Sequence, residues 1–310
     1  MRRALLLTGL LSALAAESPA WPTALMQALN RDARRLVPRS LARLLGERER
    51  EVLEETRRFP PELVQLVAVD LSAGRLRPET LAALDAEAGG VGEMFRQQRI
   101  SEGLVRLGGL MRIPADLADP VLSAGPEGYP AGVTGEYYAF VVASLDKMPV
   151  VLDDPPALRL SRRDLPDYWQ GLVERSRAQS PLIGSELFRD GRLVDHRRID
   201  FRSPVYGVAS LSYSRAVTAI AATWIAIWRD ARGDTTRMPR QRQVAPKEDA
   251  PPLAPPARRG PQENPPPKEE AQRPPGQWKV RSQAGKSSNP PPTGREGVGV
   301  DERRGWVTDE

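Results

Sequence analysis

The stretch VASLSYSRAVTAIAATWIAIWRDAR, residues 208–232, decides the reading of the fold. Its apolar positions Leu211, Val217, Ile220, Ala221, Trp224, Ile227 and Trp228 recur at three- and four-residue steps, which lines them along one side of an α-helix. Trp224 and Trp228 sit one turn apart in that stripe and read as core, not as a stack for a ligand. The same period continues upstream. Leu25, Met26, Leu29, Ala33 and Leu36 make one helical face, and Leu41, Leu44 and Leu45 follow at similar spacing. Val52 and Leu53 lie in an acidic-basic run, residues 47–58, that reads as a helix with a solvated outer face. Pro60-Pro61 opens a segment with Leu63, Leu66 and Val67 on its apolar side, and Pro78, before Glu79 and Thr80, opens another helix. Residues 91–117 read as one long stretch that Pro114 should kink or break. Residues 136–147 and 165–177 make two more helices, and only 191–201 looks strand-like. Residues 21–238 are therefore predicted to form a single all-α domain.

Both ends differ from this body. Arg2 and Arg3 followed by the apolar run Ala4 to Ala16 form the pattern of a secretory signal peptide over residues 1–20. Small-x-small cleavage sites occur at Ala13-Leu14-Ala15 and Ser18-Pro19-Ala20, and the second makes Trp21 the new N-terminus. The alternative is an uncleaved N-terminal anchor. The sequence thus predicts an exported protein, periplasmic or secreted, with no transmembrane span once the signal is removed. Residues 239–310 carry proline runs at 265–267 and 290–292 and few large apolar side chains, so this tail is predicted to be disordered. It reads first as a solvated tail without a dedicated partner, and otherwise as a spacer or a ligand for proline-reading or envelope partners.

Of the +5 net charge, +3 belongs to residues 239–310 and +1 to the first twenty, leaving the body nearly neutral. That distribution gives no strong nucleic-acid signal, because such binders concentrate basic charge on the folded domain. The chain has a single histidine and no cysteine. Disulfides, thiolate chemistry and any site needing two imidazoles are excluded. His196 lies in the charged run Asp195-His196-Arg197-Arg198 and reads as a surface residue. Ser144-Leu-Asp-Lys147 matches the Ser-x-x-Lys pattern of some acyl-transfer enzymes but lacks their companion motifs. Gly89-Gly90-Val-Gly92 has neither the preceding strand nor the lysine of a phosphate loop.

Three further motifs carry a resemblance. The predicted mature chain starts Trp21-Pro-Thr-Ala-Leu-Met26 ahead of an amphipathic helix. Leu107-Gly108-Gly-Leu-Met-Arg112-Ile-Pro-Ala-Asp116-Leu-Ala-Asp119-Pro120-Val-Leu122 follows, and then Gly132-Val-Thr-Gly-Glu136. In order and approximate spacing these stretches resemble the zinc-dependent phospholipase C and S1/P1 nuclease family. That family's exported all-α domains begin with Trp and hold a trinuclear zinc cluster. The resemblance implies Trp21, Asp116 and Glu136 as surviving ligands, with Asp70 and Asp119 as further carboxylates and Tyr137, Tyr138 and Phe140 as either cleft lining or core.

Where the family carries imidazoles, this chain has Met26, Arg112, Leu122 and Gly132. Arg112 brings a permanent cation to a place meant for metal, and an i,i+4 carboxylate such as Asp116 can neutralise it. The expectation is a vestigial site and an exported non-catalytic protein, a pseudoenzyme serving as a binding or scaffold module for an envelope or periplasmic partner, with no resident cofactor. The alternative is a metal-dependent phosphodiesterase, of phospholipase C or nuclease type, with zinc or another divalent metal on a reduced set of carboxylates. An unrelated helical envelope protein is the third reading.

Overall fold

A computed structural model of the chain describes residues 21–125 and 127–237. The signal peptide expected at 1–20 and the tail expected at 239–310 lie outside the described residues. The helix predicted from residues 208–232 is α10 (Pro204–Asp230), and it organises everything else. Ser203 precedes it, accepting a hydrogen bond on its hydroxyl from the Tyr206 N–H at 3.3 Å, and Pro204 occupies the first turn, where a missing N–H costs nothing. The sequence shows one apolar stripe, but from Ser212 to Trp228 the helix is buried on nearly every side. Ala216, Ala219, Ala221, Ala222 and Ala226 have no bulk to hold neighbours away, so helices pack around it.

Those neighbours are α1 (Thr23–Arg34), α5 (Pro78–Arg96), α7 (Arg112–Leu117) and α9 (Leu165–Leu187), with a 3₁₀ segment at Pro155–Arg159. Buried indoles pin the arrangement, each N–H finding a carbonyl or hydroxyl as a buried Trp requires. Trp224 donates to the Leu107 carbonyl at 2.7 Å and Trp169 to the Thr223 hydroxyl at 3.3 Å.

An outer layer runs through α2 (Arg39–Glu47), α3 (Glu49–Arg57), α4 (Pro61–Ala73) and α6 (Ile100–Gly109). Gly108 explains itself here. A Cβ at that position would sit 2.4 Å from a methyl of Val52, so α3 and α6 approach as closely as they do only because the side chain is absent.

Three expectations change. The stretch 91–117 breaks after Arg96, where Gln98 turns to a φ of 61°, and again after Gly109, but not at Pro114. Pro114 is the third residue of α7, where its missing N–H is one that no helix turn would use. The 165–177 helix continues to Leu187, because Ser180, Ile183 and Leu187 keep one side against the core. The strand-like 191–201 contributes only the two-residue β2 (Arg192–Leu193), antiparallel to β1 (Phe188–Arg189), and then a 3₁₀ turn at His196–Arg198. Asp195 ends the strand pattern by accepting the Arg197 N–H at 2.9 Å on its carboxylate. α8 (Val133–Ser144) lies between this hairpin region and the core. The described residues are thus an all-α domain, as the sequence predicts, and none of their helices is long and apolar enough to cross a membrane.

Candidate functional site

Three of the four carboxylates singled out in the sequence, Asp116, Asp119 and Glu136, fall into two groups, one on each side of α8. Glu136 and Tyr138 are two residues apart on that helix, so their side chains leave in nearly opposite directions.

The inner group is built on α7 and the segment after it. Trp21, buried just ahead of α1, donates its indole N–H to the Ala115 carbonyl at 3.0 Å and lies against the Tyr138 ring with centroids 6.3 Å apart. The next residue, Asp116, is buried and accepts the Arg112 Nε–H at 2.6 Å on Oδ2. Its Oδ1 is buried without a hydrogen-bond partner. Burial pushes the Asp116 carboxyl above the usual carboxylate range, and the Arg112 guanidinium pulls it part of the way back.

Asp119 is fully buried. Its Oδ1 accepts the Val121 N–H at 2.8 Å, which closes the turn over Pro120, and its Oδ2 accepts the Tyr138 hydroxyl at 2.6 Å. Burial drives the Asp119 pKa up to about 7, against the lowering effect of these two hydrogen bonds, and the nearby Asp116 charge adds to the rise. The Tyr138 phenol is held far above its ordinary range by burial and by the Asp119 charge.

The outer group is Glu136, Asp195 and His196. Glu136 Oε2 accepts the His196 backbone N–H at 2.7 Å and lies 2.7 Å from His196 Nδ1. Asp195 Oδ1 lies 3.5 Å from the same nitrogen. The His196 backbone and imidazole bonds hold the Glu136 carboxyl below the usual glutamate range, against a small opposing cost of burial. Asp195 is held low in turn, chiefly by the Arg197 N–H.

Of the residues the sequence nominates as ligands, Trp21 and Asp116 are brought to the same segment of α7, while Glu136 is bound to His196 on the outer side. Asp70 is remote from both groups in its bonding: its carboxylate accepts the Arg77 N–H at 2.8 Å and the Arg77 Nε–H at 2.5 Å, joining the end of α4 to the start of α5. The four positions where the resemblance expects imidazoles have structural occupations. Met26 is core, Leu122 packs against the core and Arg112 is paired with Asp116. Gly132 precedes α8 with a φ of 88°, where a Cβ would meet Leu193 at 2.6 Å. A histidine there would be strained and obstructed.

Tyr137, Tyr138 and Phe140 are buried, as are Trp224 and Trp228. Lys147 sets its ammonium 4.0 Å from the Phe201 ring centroid, and Gly89, Gly90 and Gly92 lie inside α5, not in a loop. Sequence reasoning anticipates the Arg112–Asp116 pair from its i,i+4 spacing. It misses the association of Glu136 with His196, which are 60 positions apart in the chain and give no local signal. Asp119, named from sequence as a further carboxylate, is the most deeply buried acid of the inner group.

No protein-family model, no curated protein and no solved structure matches the chain.

Proposed function

We propose that this chain is an exported, non-catalytic binding or scaffold module of the envelope, related to the zinc-dependent phospholipase C and S1/P1 nuclease family but without a working zinc cluster. The observation that carries this reading is the engagement of the inner carboxylates by the protein's own groups. Asp116 is neutralised by Arg112, and Asp119 is bonded to Tyr138 and to the Val121 N–H. Three zinc ions need enough anionic and imidazole donors to offset six positive charges. The inner group has two carboxylates, one of them already balancing a guanidinium, and no imidazole. The residues present therefore do not fit such a cluster.

A chain processed to start at Trp21 tests the reading. Elemental analysis is expected to find fewer than two zinc ions per chain. Phospholipid and oligonucleotide substrates are expected to remain intact with Zn2+, Mg2+, Ca2+ or Mn2+. Two or more zinc ions, or turnover abolished by Asp116→Ala, overturns it.

A further inference from the structure

We propose that Glu136, Asp195 and His196 form a mononuclear binding site for a first-row divalent transition metal ion, of which Zn2+ is the natural probe. This site uses a different donor set from the inner group, and it stands whether or not the reading of that group holds.

One ligand atom from each of the three side chains lies within 4.8 Å of the other two. Around an ion bound at about 2.0–2.2 Å, neighbouring donor atoms stand roughly 3.0–3.5 Å apart. The imidazole Nδ1 lies 2.7 Å from Glu136 Oε2 and 3.5 Å from Asp195 Oδ1, which brackets that spacing. Only a few tenths of an ångström of opening at the Glu136 contact is needed to replace a shared proton with a metal ion.

The donors are also held in place before any ion arrives. Glu136 stands in the first turn of α8 and accepts the His196 backbone N–H, so its carboxylate is held beside the base of the imidazole by a main-chain donor as well as by Nδ1. Asp195 is fixed by the Arg197 N–H at the head of the 3₁₀ turn. Two elements distant in sequence thus present three donors to one point.

The chemistry of the set selects the ion. An imidazole beside two carboxylates suits Zn2+, Co2+ or Ni2+, whereas Mg2+ and Ca2+ prefer oxygen alone. Two carboxylates offset the ion's two charges. The His196 side chain is 23% exposed and Asp195 is 50% exposed, so water can complete the coordination shell, as in three-ligand sites with an open position. The neighbouring Arg197 and Arg198 repel the ion and reduce the affinity, but they remove no donor. Binding requires proton-free ligands and is expected to weaken as pH falls.

His196 is the only histidine in the chain, so its imidazole carbon-bound protons are a unique signal in a proton NMR spectrum. Titrating the full chain with ZnCl2 is expected to shift those resonances saturably at one ion per chain, with equimolar MgCl2 leaving them in place. His196→Ala is expected to weaken zinc affinity, measured by calorimetry, at least tenfold, and Asp195→Asn and Glu136→Gln to weaken it by roughly tenfold each. An imidazole signal that does not move with Zn2+ overturns the proposal. So does a zinc affinity unchanged in His196→Ala, or one that survives intact in both carboxylate variants, which marks a lone surface imidazole. Stoichiometry separates this result from the reading above. A single ion lost with His196 leaves the inner group metal-free, whereas two or more ions that survive His196→Ala belong elsewhere and count against the pseudoenzyme.

Discussion

Asp119 and Glu136 are both carboxylates bonded to a ring-bearing side chain, at 2.6 Å and 2.7 Å, on opposite sides of the same helix. Their chemistry diverges because only one of them is cut off from water. Asp119 has two hydrogen bonds that favour its anion, yet desolvation outweighs both and its pKa rises to about 7. Glu136 meets little desolvation, so its two bonds to His196 dominate and the pKa falls. Burial, not the number of hydrogen bonds, decides which acid is poised to titrate near neutrality. The inner group is consequently a matter of stability and the outer group a matter of what can bind from solution.

The largest effect is expected where the inner group is broken. Arg112→Ala leaves the Asp116 carboxylate buried without its counter-charge, a loss of about 3–5 kcal/mol at neutral pH. Denaturant unfolding measures it, and the loss should shrink in acid as Asp116 protonates. Replacing both partners with apolar residues, Arg112→Met with Asp116→Leu, is expected to recover most of the stability. A double variant as unstable as the single one would mean that the pair is worth more than its desolvation cost.

Asp119→Asn comes next, through pH. The carboxyl titrates near 3.9 when unfolded and at about 7 when folded, so the unfolded state binds fewer protons between those values. The wild-type fold is therefore most favoured below pH 4 as far as this group is concerned, and loses that contribution as pH rises through about 7. The amide of Asp119→Asn does not titrate and keeps an acceptor for the Val121 N–H. The variant's stability relative to wild type should grow from pH 4 to pH 8, by an amount on the order of a few kcal/mol. Urea midpoints at both ends of that range test this. A constant difference across the range would show that Asp119 stays ionised inside.

The contrast also marks how much of the molecule could be read in advance. Helical period and proline placement are local properties: a proline marks the starts of α4 and α5, and the apolar period marks most of α10. The continuation of α5 to Arg96 carries no such mark, and the start of α10 at Pro204 lies ahead of the periodic stretch. Pro114 misled because its cost depends on where in a helix it falls, and only the preceding break after Gly109 puts it in a first turn. Among the site residues, Arg112 and Asp116 were legible as an i,i+4 pair. Asp119 was not, since the depth of the Pro120 turn is set by Tyr138 and other core side chains from distant segments. His196 was invisible for the same reason: an Asp-His-Arg-Arg run looks like solvated surface until α8 carries Glu136 against it.

Gly132 links the two sides, because it sets where α8 begins. At a φ of 88° with Leu193 in the path of any Cβ, Gly132→Ala is expected to cost about 1–3 kcal/mol. The hairpin should be displaced with it, so the variant is also expected to shift the His196 imidazole resonances. Stability lost without any change at His196 would separate the start of α8 from the placing of the outer group.

Glu136→Gln is the smallest perturbation and the cleanest contrast with Asp119. A partly exposed pair of this kind is worth less than about 1 kcal/mol at neutral pH, since solvent screens it and two side chains must be held still. Its pH dependence runs in the opposite direction. A glutamate whose folded pKa lies below its unfolded value contributes stability above the ordinary glutamate range and loses it as pH falls through the folded value. The Glu136→Gln variant should therefore equal wild type once acid has protonated the folded carboxyl, and fall slightly behind it above about pH 5, given an unfolded glutamate near 4.3. Asp119→Asn does the reverse, gaining on wild type as pH rises. Thermal unfolding of both variants across pH 3–8 places the two curves side by side. Curves of the same sign would mean that Glu136 is far less accessible to water than its position on the outer side of α8 implies.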